Sequence, residues 1–121
     1  MARLLVGGDD LRVLLSWLER IGAFVNGYVS IPLASIRLVR VSENPWPELR
    51  GMRAPGTGLP RVLALGTWRH SLGRDFVAVY GKGPAVVVEV AGGRFARVVV
   101  SSRDAERVAG EIRDAAAEVQ L

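Results

Sequence analysis

The sequence predicts a mainly β domain of six to eight antiparallel strands, closed by one amphipathic C-terminal helix. Three observations carry this. Four β-branched and aromatic runs, at residues 62–65, 76–80, 85–90 and 94–100, are each bounded by turn chemistry. After Ser101 and Ser102 the apolar period changes to that of a helix. The chain has 121 residues and no cysteine, which suits one domain over 1–121 with a core of its own and no disulfide staple.

In chain order, residues 3–6 form a first strand that turns through GGDD. Leu11, Val13, Leu15 and Trp17 alternate with Arg12, Leu14 and Ser16, so a second strand has one fully apolar face. The text SWLERIGAFVN leaves two readings open, a single helical turn or a bulged strand, because Trp17, Ile21 and Phe24 at helical spacing are interrupted by Gly22 and followed by Gly27. Val29, Ile31 and Leu33 face one way, and a further strand runs over 35–41 after the break at Pro32. The four later runs follow as an antiparallel meander. Within it Gly92 and Gly93 signal a short hairpin, since glycine tolerates the positive φ such turns require. The helix covers about 103–119, with Ala105, Val108, Ala109, Ile112, Ala116 and Val119 on its apolar stripe and Ser102 or Asp104 as its cap. Gly110 inside it marks either a close approach to the sheet or neutral drift. A strongly bent sheet, or two packed sheets, leaves an open end that this helix covers.

VSIPLASIRLVRV, RGMRAPGTGLPRVLALGT, GRDFVAVY and FARVVVSSRDAERVAGEI resemble the small actinobacterial proteins of the pleckstrin-homology-like (PH-like) superfamily, over about residues 11–117. The most specific piece is the RG–R–PGTG–P loop, followed by a strand ending in Gly66–Thr67 and by RDF at 74–76. The resemblance implies two bent antiparallel sheets forming a partly open, seven-stranded barrel capped by the helix. It implies binding or scaffolding, with no catalytic residues.

Charge is unevenly placed. Fifteen of the sixteen basic residues are arginine and the net charge is +4. Residues 37–74 hold seven arginines against two acids, a net +5; residues 103–121 hold three arginines against five acids, a net −2. No apolar run approaches the ~18–20 residues of a membrane span, and MARLLVGGDD lacks the layout of a secretory signal. A cytoplasmic protein is expected.

The chemical inventory is short. RGMRAPGTGLPRV is rich in glycine, but its glycines lead into a strand, whereas a phosphate loop leads into a helix whose first N–H groups hold the anion. It reads as a sharp crossing between sheets, set by Pro55, Gly56, Gly58 and Pro60. His70, the sole histidine, lies in the polar turn WRHSLGRD with no second histidine to share a metal or complete a triad, and reads as a surface residue. No serine sits in a nucleophile elbow, and no calcium loop or zinc pair occurs. Neither catalytic residues, metal, cofactor nor nucleic-acid partner is expected.

A connection of about nineteen residues between Val41 and Arg61 stands out, since long loops in compact domains tend to be functional. Trp46, flanked by two prolines, is either an aromatic anchor for a partner or a lid on the barrel end; Arg50, Arg53 and Arg61 supply guanidinium groups beside it. The expected function is a non-catalytic binding or assembly module, working by protein contact or self-association. The alternative is recognition of an anionic ligand, a phosphorylated lipid headgroup or an acidic peptide, through the arginine-rich segment 37–74.

Overall fold

The computed structural model describes residues 2–16, 19–20, 28–59 and 62–121, with side chains for all of these except 53–56 and 59. Trp17, Pro60, Arg61 and most of the ambiguous SWLERIGAFVN text lie outside the described residues.

The first layer is a three-stranded antiparallel sheet, ordered β1 (Arg3–Val6), β2 (Asp10–Leu14), β3 (Val29–Pro32). The β1–β2 turn falls on the expected GGDD text, and Leu11, Val13, Val29 and Ile31 bury the apolar face. After β2, Ser16 and Glu19 cap each other reciprocally. The Ser16 N–H donates to Glu19 Oε1 (2.9 Å) and the Glu19 N–H to Ser16 Oγ (3.2 Å), and Glu19 and Arg20 are helical. The Tyr80 hydroxyl donates to the buried Glu19 carboxylate.

Pro32 cannot continue the ladder, and a 3₁₀ turn at Leu33–Ser35 carries the chain into a second sheet. Its strands are β4 (Ile36–Ser42), β5 (Met52–Leu59), β6 (Leu63–His70), β7 (Gly73–Tyr80), β8 (Ala85–Val90) and β9 (Arg97–Ser101), in the order β4-β8-β9-β7-β6-β5. The expected meander is corrected here. β9 inserts between β8 and β7 and runs parallel to β7, from Asp75 opposite Arg97 to Ala78 opposite Val100. The four apolar runs look alike locally, and nothing in their periodicity says which neighbour each takes. Val86–Val88 and Val98–Val100 are buried on both faces, as befits central strands of a covered sheet. The described residues thus form nine strands in two sheets with no closed barrel, against the seven-stranded, partly open barrel expected.

The PGTG text is a second correction. It belongs to β5, an edge strand whose register shifts between Arg53 and Gly56, so Pro55 sits at an irregularity where its missing N–H costs no regular ladder bond. The expected nineteen-residue connection shrinks to residues 43–51. Gly51 ends that segment with φ +81°, and a Cβ there would lie 1.9 Å from the Arg69 carbonyl oxygen, so only glycine fits.

The C-terminal helix, α1 (Ala105–Gln120), buries Ala105, Ala109, Ile112 and Ala116 against the core. Val119, expected on that stripe, is exposed. Asp104 takes the cap position without a side-chain cap bond, facing Arg107 instead. α1 also closes the β4 edge: Arg113 Nε donates to the Val39 carbonyl (2.9 Å), and the Gln120 amide donates to the Leu33 and Ile36 carbonyls (2.9 and 2.8 Å). A Cβ on Gly110 would meet nothing outside its own helix, so close approach to the sheet does not explain it.

Candidate functional site

The six-stranded sheet has an inner face, under the three-stranded sheet and α1, and an outer face crossed by the 43–51 strap. Along the outer face Ala64, Val77, Val79, Ala85, Val87 and Val99 make an apolar floor beside Trp68, and Trp46 and Leu49 of the strap pack on it. Trp46 starts a 3₁₀ turn (Trp46–Glu48), and its indole N–H donates to the Gly81 carbonyl (2.8 Å). The polar and apolar parts of Trp46 are both engaged within the molecule.

Ionic contacts fasten the rest of the strap. Glu48 receives Arg40 in two bonds, Nη1 to Oε2 (2.9 Å) and Nη2 to Oε1 (2.6 Å), and its backbone carbonyl accepts from Arg97 (3.2 Å). Arg97 also donates Nε to Glu89 (2.9 Å). Arg40 first of all, then the nearby Arg97, holds the Glu48 carboxyl below its ordinary range, with partial burial opposing. Arg50 forks onto Asp75, Nε to Oδ2 (2.7 Å) and Nη2 to Oδ1 (3.1 Å). Asp75 is only 1% exposed, so Arg50 compensates a buried charge.

The surface reading of His70 is corrected. Its side chain is 7% exposed and lies 2.8 Å from Asp75 through Nε2. Nδ1 accepts the Leu72 N–H (3.1 Å), which in neutral imidazole leaves Nε2 as the donor to Asp75. Both ring nitrogens are occupied, and the group braces the β6–β7 turn.

The structure places the side chains of two of the four expected binding residues. Trp46 and Arg50 fasten the strap, Arg53 lies in β5 opposite Trp68 with its side chain outside the described residues, and Arg61 is outside them altogether.

A different set of arginines gathers at the end of the sheet where the β6–β7 turn meets the β8–β9 connection. A cleft of about 440 Å³ opens there, lined by Leu72, Gly73, Arg74, Val90, Arg94 and Phe95 together with Gly92, Gly93 and Ala96. Arg69 lies directly opposite Arg74 across the β6–β7 ladder. Arg94 stacks on the Phe95 ring, 5.0 Å from its centroid, and Phe95 anchors the loop in the core edge-on to Phe76. No acid lines the cleft, and among the described residues none of these three guanidiniums meets a carboxylate, whereas Arg12, Arg40, Arg50, Arg97 and Arg107 each do. Met52, opposite Arg69, and Leu72, in the turn, are exposed at 77% and 75%.

Two of these arginines lie within the arginine-rich segment 37–74, and their equal distance from the centre of RHSLGR places them face to face in a hairpin turning at Ser71–Leu72. Sequence reasoning missed Arg94, which arrives from another hairpin with no local signal linking it to them. No protein-family model, curated protein or solved structure matches the chain. No helix among the described residues is long and apolar enough to cross a membrane.

Proposed function

We propose that this chain is a non-catalytic binding module that works in the cytoplasm and captures an anionic partner at the basic cleft. The observation that carries this reading is the pair Arg74 and Arg94 lining a concave surface without acids, with Arg69 opposite Arg74 across the ladder. Two like charges directly opposite in a ladder destabilise it, and an anion between them removes the repulsion. Guanidinium groups offer carboxylate or phosphate two parallel hydrogen bonds. Kinship with the PH-like superfamily is kept as part of the proposal: a β-rich body ending in a helix supports it, while the division into three and six strands and the parallel β7–β9 pair depart from it.

Calorimetric titration with pyrophosphate and with a hexaglutamate peptide tests the reading, with the Arg74→Glu/Arg94→Glu double variant as control. At least one probe should bind saturably at about 50 mM salt and weakly at about 300 mM, as expected for exposed charges beyond a Debye length. Absence of binding by either probe at low salt, or equal binding by the double variant, would overturn it. Protein contact or self-association is favoured by a separate observation, the exposure of Met52 and Leu72 at the same end of the molecule.

A further inference from the structure

We propose that the anionic partner of the basic cleft is helix α1 of a second copy of this chain, in a two-fold dimer. The inference rests on the cleft being an anion site, as argued above, and names its occupant.

The reasoning begins with the acids of α1. Glu111, Asp114 and Glu118 recur at intervals of three and four residues, which puts them on one exposed stripe about 10 Å long at a rise of about 1.5 Å per residue. The helix has two arginines near them, and both are committed elsewhere. Arg107 pairs with Asp104 and Glu111, and Arg113 Nε donates to the Val39 carbonyl at the β4 edge. Asp114 and Glu118 consequently carry charge that no ion pair among the described residues balances. Leu72 and Met52 are exposed apolar side chains beside the arginines. The molecule thus presents uncompensated positive charge with apolar neighbours on one surface and uncompensated negative charge on another.

Gln120 holds the Leu33 and Ile36 carbonyls, and Ile36 lies opposite Val90, which lines the cleft, so the last turn of α1 reaches the same end of the sheet as the cleft. Glu118, about 200° round the helix from Gln120, and Asp114 face away from the sheet, open to a partner. Patches of opposite charge on one chain suit a two-fold axis, because one rotation lays each cleft on the other copy's helix and satisfies both contacts together. Complementary potentials of this kind set partner choice and register.

Sedimentation velocity on the intact chain tests the proposal. Wild type should dimerise at about 20 mM salt and dissociate at about 300 mM. The cleft variant Arg74→Glu/Arg94→Glu and the helix variant Asp114→Arg/Glu118→Arg should each lose self-association by more than about a hundredfold, since each brings like charges together. An equimolar mixture of the two should dimerise again, because both contacts in the mixed pair are attractive. All four positions are exposed, so both variants should keep the fold, which far-UV circular dichroism checks. A wild type that stays monomeric at low salt overturns the second-copy proposal. If pyrophosphate or hexaglutamate still binds that monomer through Arg74 and Arg94, the anion site stands without it. A wild-type dimer whose variants remain monomeric on mixing also overturns it, since some other surface then makes the contact. Pelleting of a strictly monomeric protein with phosphatidylglycerol vesicles assigns the cleft to lipid and overturns it as well.

Discussion

Arg74 is a residue whose contribution to stability and proposed contribution to function have opposite signs. It faces Arg69 across the β6–β7 ladder, and a cross-strand charge pair contributes roughly 0.2–1 kcal/mol in either direction according to sign. Arg74→Glu converts repulsion into attraction. The variant should therefore show a higher denaturation midpoint than wild type while losing anion capture; a lower midpoint would mean that the two guanidiniums do not repel in the folded state. This pairing was legible in RHSLGR by counting outward from the turn. The role of His70 was not, because Asp75, five residues on, reads as another polar turn residue until the ladder places it inside. Trp46 was the most conspicuous residue of the sequence; in the structure its indole N–H bonds the Gly81 carbonyl and its ring packs on the outer face of the six-stranded sheet, not on a barrel end.

Among the elements, the 43–51 strap depends on ionised carboxylates, and that makes it sensitive to acid. The native Glu48 carboxyl titrates below its ordinary value, chiefly because Arg40 hydrogen-bonds it, so the unfolded chain takes up this proton first as pH falls. Its stabilising contribution is complete above the unfolded value, near pH 4.3–4.5, and is lost as pH drops through the lower native one. Below about pH 4 the Trp46 indole N–H should begin to exchange with solvent faster than the amides of β8, read by nuclear magnetic resonance. Simultaneous loss of both signals would mean that the strap does not open separately. In α1, Gly110→Ala should raise stability by about 0.5–1 kcal/mol, because the added methyl meets open space and alanine is the better helix former. A lower melting temperature would show that the glycine has a use the helix contacts do not reveal. α1 was readable in advance because a helix states its buried face within its own sequence. β5 was not, since Pro55, Gly56 and Gly58 depress strand propensity and only an edge position with a register shift accommodates them.

For the whole molecule, the legible part was the composition of layers, many strands and then one helix, and the illegible part was their connection. Strand pairing is decided by residues far apart in the chain, and valine-rich runs such as 85–88 and 98–100 accept one another in several orders. The position of β9 between β7 and β8 has a consequence for how the chain is made. Until Arg97–Ser101 leaves the ribosome, β5-β6-β7 and β4-β8 are two separate half-sheets, with β7 and β8 each presenting an open, largely apolar edge. A chain ending at residue 96 should accumulate as insoluble aggregate, whereas one ending at residue 104 keeps both halves joined and should stay more soluble even without α1; equal solubility of the two would deny β9 this role. If the longer chain is the more soluble, β9 is the keystone of assembly, the piece that turns two half-sheets into one.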